Sequence, residues 1–137
     1  MPDHNRSAYA AYRLSKAKDC LLLADTLPMT DIGYATMLNR SYYAVFHAMR
    51  AVLALDEKDF KKHSSVISYF RQTYIKQGIF SAACSKTIEN LFRLRQKADY
   101  DDFYVISKND AEKQLADAKV FVAEIERYLQ DKLENEE

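Results

Sequence analysis

From Asp31 to Leu55 the chain carries apolar or small side chains on nearly every side of a helical wheel. Tyr34, Met37, Ser41, Ala44, Ala48, Ala51 and Leu55 form one seam, small through its middle. Tyr42, Val45, Phe46, Met49, Val52 and Leu53 cover much of the opposite surface. A helix with so little polar surface belongs at the centre of a bundle or at a subunit interface. Its one polar stripe is Arg40, Tyr43, His47 and Arg50.

The flanking segments offer partners for such a helix. A first helix is expected from about Asn5 to Leu27, its stripe Ala10, Leu14, Ala17, Leu21 and Ala24 stepping by four and three. Pro28 ends it, because proline lacks a donor and disfavours helix in the residue before it. Thr30 or Asp31 then caps the second helix. After a charged loop from Asp56 to Lys62, a third helix is expected over about Ser64–Gln77, burying Val66, Ile67, Phe70 and Ile75 and ending at Gly78. A fourth covers about Ala82–Ala98 with Ile88, Leu91, Phe92 and Leu94 inward. The acidic and aromatic connector Asp99-Tyr-Asp-Asp-Phe-Tyr104 leads to Ser107, which with Asp110 resembles a capping box. The last seam is Ala111, Leu115, Ala118, Val122, Ile125 and Leu129.

Only two glycines and two prolines occur in 137 residues, so sharp turns must be few. The expected fold is all-α, an antiparallel up-and-down bundle of four or five helices. It forms a single domain over 1–137, with a core at about 5–130 and a frayed tail at 131–137.

Acids and bases cancel at twenty each, which argues against a general nucleic-acid coating protein but leaves room for a local basic site. Cys20 and Cys84 stand apart, without metal-ligand spacing, and read as buried, reduced thiols. The start lacks a signal-peptide pattern, and no run approaches the ~18 apolar residues of a membrane span. A cytoplasmic location follows as the expectation. His4, near the terminus, is given no role.

Arg40 and His47 lie seven residues apart, nearly two turns, and so project from one face. A guanidinium and an imidazole held together on a mostly buried helix suit a phosphate clamp and a proton carrier. The structural alternative pairs Arg40 with Asp99 or Asp101 and makes His47 a satisfied core group. Lys61, Lys62 and His63 form a basic loop near a helix start, either a phosphate contact or a solvated surface. Arg93, Arg95 and Lys97 sit beside Asp99, Asp101 and Asp102. They form a local ion-pair network, or else Arg93 or Arg95 points across the bundle toward Arg40 and His47. Glu-x-x-His pairs, glycine-rich phosphate loops and nucleophile elbows are missing, so neither metal nor cofactor is expected.

Three blocks together carry a resemblance: Arg40-Ser-Tyr-Tyr-Ala-Val-Phe-His-Ala-Met-Arg50, Lys62-His-Ser64 and Leu94-Arg-Gln-Lys-Ala-Asp-Tyr-Asp-Asp102. They resemble the HEPN domain family, in its small stand-alone bacterial and archaeal branch, over about residues 8–130. The resemblance implies a bundle that forms a homodimer, often encoded beside a minimal nucleotidyltransferase. Many such pairs are toxin–antitoxin modules in which the HEPN protein is a metal-independent RNase. The family's nuclease motif is arginine, four to six residues, then histidine, which Arg40 and His47 match at its outer limit. Active members usually carry it near the last helices with Asn, Asp or His after the arginine. Here it lies in the second helix and Ser41 follows, while Arg93-Leu-Arg95 has no histidine downstream.

On that resemblance, His47 and Arg40 are the expected catalytic pair. His47 would move the proton of a ribose 2′-hydroxyl or of the leaving oxygen, and Arg40 would hold the scissile phosphate. Two copies in a dimer would supply both an acid and a base. Tyr43, Lys62, His63, Arg93 and Arg95 are the candidate substrate contacts, for RNA or a nucleotide. Tyr100 and Tyr104 are candidate sites of modification by the nucleotidyltransferase, or else packing aromatics. The alternative function is a non-catalytic nucleotide- or substrate-binding subunit of that enzyme. A third is a pure interaction module.

Overall fold

A computed structural model describes residues 2–135, with side chains from Asn5 onward; Met1 and residues 136 and 137 lie outside it, as does the side chain of His4. The described residues form helices α1 (Pro2–Asp25), α2 (Asp31–Leu55), α3 (His63–Phe70), α4 (Ala82–Tyr100) and α5 (Lys108–Asn135), with a π-helical segment at Arg71–Ile75. No strand occurs among them, and the all-α bundle is as expected.

The second helix is the axis of the fold and packs against each of the other four helices. Leu38, Tyr42, Val45, Phe46, Met49, Val52 and Leu53 are all buried, on every side of it. Ala10, Ala17 and Ala24 of α1 and Ala44, Ala48 and Ala51 of α2 have no exposed surface. Small side chains on both helices shorten the distance at which their backbones can pack.

The junction between α1 and α2 is tighter than the alternation of apolar residues implies. The first helix ends at Asp25, two residues before the expected Leu27, where the Thr26 hydroxyl and amide both donate to the Leu23 carbonyl. Thr30 caps α2, its Oγ1 accepting from the Gly33 amide at 3.1 Å. At Gly33 an added Cβ would lie 1.8 Å from the Pro28 carbonyl oxygen. The turn therefore requires glycine there.

The third helix departs most from expectation. Regular α-helix stops at Phe70 instead of continuing to Gln77, and the chain widens so that the Lys76 amide donates to the Arg71 carbonyl at 2.9 Å. Through this wider turn Tyr74 is buried among Phe70, Phe80 and Tyr128. Its hydroxyl donates to the Asp56 carboxylate just past the end of α2. Gly78 then reverses the chain at φ 81°.

Glu124 of α5 accepts from the Ser81 amide and hydroxyl at 3.0 and 3.1 Å, fixing the start of α4. The fourth helix continues to Tyr100, two residues past expectation, burying Ile88, Leu91 and Leu94 while Phe92 stays half-buried. Ser107 accepts from the Asp110 amide at 3.0 Å, the expected cap of α5. All six residues of the final seam are buried. This helix runs through Asn135, beyond the boundary expected at 130. Cys20 and Cys84 are buried and free. Among the described residues no helix is long and apolar enough to cross a membrane.

Candidate functional site

The polar stripe of α2 is half-buried along its length: Arg40, Tyr43, His47 and Arg50 all keep partial access to solvent. Arg40 does not take the carboxylate partner the structural alternative expected. Its Nε and one terminal nitrogen donate to Asn39 Oδ1 at 3.1 and 2.5 Å, and its guanidinium carbon lies 5.4 Å from the Tyr43 ring centroid. Asp99 instead pairs with Arg95 at 3.5 Å. No carboxylate therefore contacts Arg40 among the described residues.

Arg95 reaches across from α4. It donates to the Tyr43 hydroxyl at 3.2 Å and lies 4.4 Å from the Tyr42 ring centroid. Of the alternatives Arg93 or Arg95 pointing across the bundle, it is Arg95 that reaches the stripe. Arg93 is exposed on another side of α4, in a groove with Ser64, Arg71 and Phe92. Two residues along a helix turn the side chain by roughly 200°, so both cannot face one site.

His63, the first residue of α3, packs inward. Its ring centroid is 4.0 Å from that of Phe46, and its Nδ1 is 3.2 Å from the Tyr42 hydroxyl. Burial, then Arg95 and Arg50, lower its pKa below the usual histidine value. The basic loop therefore does not act as a unit: Lys61 and Lys62 are exposed while His63 joins the aromatic cluster.

At the middle of the stripe, the His47 ring lies 6.3 Å from Tyr43 and 6.4 Å from Phe46. Its Nδ1 is buried with no hydrogen-bond partner. Burial pulls its pKa down to about 4, and Arg13, Arg50, Lys16 and Arg40 push in the same direction. Near neutral pH the imidazole is therefore uncharged, with the cationic side chains of α1 and α2 in its electrostatic neighbourhood. Such a site favours a bound anion, whose charge would in turn raise the basicity of the imidazole. Arg13 and Lys16, on the flank of the buried α1 stripe, were not among the sequence candidates. Their i, i+3 spacing beside Ala17 was the available signal, but only the packing of α1 on α2 brings them to His47.

Arg50 is fixed by two hydrogen bonds to Asp59, at 2.9 and 3.0 Å. In the connector, Tyr100 is exposed while Tyr104 is half-buried with Lys97 Nζ 4.9 Å from its ring centroid. Of the ion-pair network expected there, Arg95–Asp99 forms. Among the described residues no three His, Cys, Asp or Glu side chains come together in a way that could hold a metal ion.

A central apolar helix with one basic, histidine-bearing stripe inside an all-α bundle defines the class. The sequence profile of the HEPN domain matches residues 10–128, and the chain belongs to the HEPN family. It is 30% identical over 116 residues to "Putative toxin MJ0142" of Methanocaldococcus jannaschii, covering 85% of this chain and 78% of that protein. "Putative toxin MJ0605" of the same organism is 31% identical over 98 residues, 72% of each chain. A "UPF0332 protein" of Thermotoga maritima is 27% identical over 120 residues, 88% of this chain and 90% of the relative.

Proposed function

We propose that this protein is a metal-independent endoribonuclease of a toxin–antitoxin or defence module, working as a homodimer, with Arg40 and His47 as its catalytic pair. The observation that carries the reading is His47 beside Tyr43 on the polar stripe, its Nδ1 buried without a hydrogen-bond partner, with Arg40 on the same helix face and, among the described residues, no carboxylate in contact with it. A phosphodiester placed there offsets the repulsion that keeps His47 unprotonated. In that position the imidazole of one copy accepts the 2′-hydroxyl proton as the 2′-oxygen attacks phosphorus, and the imidazolium of the second copy protonates the 5′-oxygen as its bond to phosphorus breaks, leaving a 2′,3′-cyclic phosphate. Arg40 stabilises the charge that develops on the non-bridging oxygens. Tyr43, held by Arg95 between the two, positions the substrate. The names of the two Methanocaldococcus jannaschii relatives support the toxin side of the reading.

RNA cleavage by purified protein in EDTA tests it. Wild type is expected to cut, and His47→Ala and Arg40→Ala to lose about 100-fold or more, the scale of one acid–base group. Equal rates in wild type and His47→Ala would remove His47 from the mechanism.

The connector favours a second reading, a non-catalytic binding subunit for a separately encoded minimal nucleotidyltransferase. Tyr100, Phe103 and Val105 are 85%, 94% and 65% exposed, an apolar surface suited to a partner, with Tyr100 open to modification. Co-purification of such a partner with no RNase activity in any preparation separates this reading from the first.

A further inference from the structure

Beyond Arg50 the polar stripe opens into a groove that the catalytic proposal does not use. It lies between the N-terminal half of α1 and the loop after α2, encloses about 420 Å³, and is lined by Arg6, Tyr9, Arg13, Arg50, Glu57 and Asp59 among others. Arg6, Tyr9 and Arg13 share one face of α1 by their three- and four-residue spacing. Arg6 reaches across to the Leu55 carbonyl at 2.7 Å, closing one end. Arg13 and Arg50 line the other, and Arg50 stands one helical turn beyond His47 on α2, so the groove adjoins the candidate catalytic site.

Its chemistry is that of a nucleotide and not of a bare anion. Two arginines stand at the His47 end, where a phosphate adjoining the scissile one would lie. Tyr9, 67% exposed although aromatic, offers a ring face in the groove wall. Asp59 is held by Arg50 at 2.9 and 3.0 Å, whereas Glu57 would repel a simple polyanion yet can accept from the exocyclic amino group of a base. Glu57 also holds φ 56°, uncommon outside glycine, with its amide donating to the Ala54 carbonyl at 3.1 Å. Aromatic faces with arginines alongside are how single strands are bound without a paired partner, since every base has a ring face to stack.

We infer that this groove binds the nucleotide next to the scissile phosphate of a single-stranded RNA, with Arg13 and Arg50 on its phosphate and Tyr9 stacked on its base. The inference rests on the ribonuclease reading for the identity of the ligand. From Arg40 to Arg50 the stripe spans about 15 Å of helix, long enough for more than one nucleotide. The strand follows α2 from Arg40 past His47 into the groove.

A binding measurement separates this from catalysis. A labelled, short 2′-O-methyl oligoribonucleotide has no 2′-nucleophile, so its fluorescence anisotropy reports affinity alone. Tyr9→Ala is expected to weaken binding about fivefold or more, the loss of one base stack, while Tyr9→Phe keeps wild-type affinity. Arg13→Gln is expected to weaken binding and to flatten its dependence on salt. Unchanged affinity in both Tyr9→Ala and Arg13→Gln, with RNA still bound, overturns the groove assignment and leaves the His47 reading to its own cleavage test. Failure of the wild-type protein to bind the oligonucleotide at all overturns both.

Discussion

The Arg95 guanidinium carbon lies 5.1 Å from the centroid of the Tyr43 ring, and one of its nitrogens donates to the Tyr43 hydroxyl at 3.2 Å. This contact ties α4 to the middle of the polar stripe on α2. It gives Arg95 a packing role alongside any role in substrate binding. Arg95→Lys is expected to destabilise the fold by about 1 kcal/mol, because an ammonium lacks the planar face that lies over Tyr42 and Tyr43. Urea unfolding of the two proteins measures it. An unchanged midpoint would mean the contact contributes nothing net.

Gly33 sits where the backbone of the α1–α2 turn passes closest to α2. With a Cβ placed 1.8 Å from the Pro28 carbonyl oxygen, Gly33→Ala forces the turn open. We expect a loss of about 2–4 kcal/mol, within the range of steric overpacking. Gly78→Ala is the comparison: a Cβ there meets nothing within 4 Å, but φ is 81°, so the cost is about 1–2 kcal/mol from backbone strain alone. Thermal unfolding should rank Gly33→Ala below Gly78→Ala, and the reverse order would contradict the steric account.

Stability should depend on pH through His47. Its folded pKa of about 4 lies below the unfolded value near ~6.5, so the unfolded chain binds more protons between them. The stabilisation is therefore complete above about pH 6.5 and falls as pH drops toward 4. His63, also lowered, acts in the same direction. Because His47 is only half-buried, solvent screening holds the effect to about 1–2 kcal/mol. His47→Gln, neutral throughout, should lose less stability than wild type between about pH 7 and pH 4.5. Identical losses would show that the imidazole is not held neutral by its surroundings.

The fold was legible because its seams repeat at helical spacing. Ala111 to Leu129 could be read as one buried stripe without knowing what it packs on, and α2 announced its central place by having almost no polar face. The π segment was not legible, because nothing in the apolar pattern marks an i+5 hydrogen bond: regular spacing puts Phe70 and Ile75 inward, whereas the wider turn buries Tyr74 and leaves Ile75 half-buried. At the site, Arg40, Tyr43 and His47 followed from spacing on one helix. Whether Arg93 or Arg95 faced them depended on the rotation of α4, which its charged sequence leaves open. His63 was read with Lys61 and Lys62 because the three are adjacent, yet the start of α3 turns the imidazole onto Phe46 and leaves the lysines outside. Arg13 and Lys16 act on His47 through the packing of α1 on α2, which their spacing beside Ala17 could not by itself reveal.

Tyr74 joins the π segment to the end of α2 through Asp56, which also closes α2 with its own amide bonded to the Ala54 and Leu53 carbonyls. Burial and the neighbouring carboxylate push the Tyr74 pKa well up, so the phenol keeps its proton and remains a donor. Tyr74→Phe should cost about 1.5–3 kcal/mol, the scale of a hydrogen bond to a charged group. Asp56→Asn keeps an acceptor without the charge and should cost less. A silent Tyr74→Phe would leave aromatic packing alone to hold the segment.

The same imidazole can report on the proposed substrate. If a phosphodiester settles among Arg13, Lys16, Arg40 and Arg50, its charge favours protonated His47, and the pKa must rise from about 4 on binding. By linkage, a rise on binding means that affinity strengthens as pH falls through the free and bound values. NMR titration of the His47 ring, with and without the 2′-O-methyl oligoribonucleotide, is expected to show an upward shift of about one unit or more, the scale for an opposite charge within a few ångströms. His63, whose ring packs against Phe46 and lies beside Tyr42, should move less. An oligonucleotide that binds while leaving the His47 titration unchanged has its phosphates elsewhere, and His47 then has no place in cleaving it.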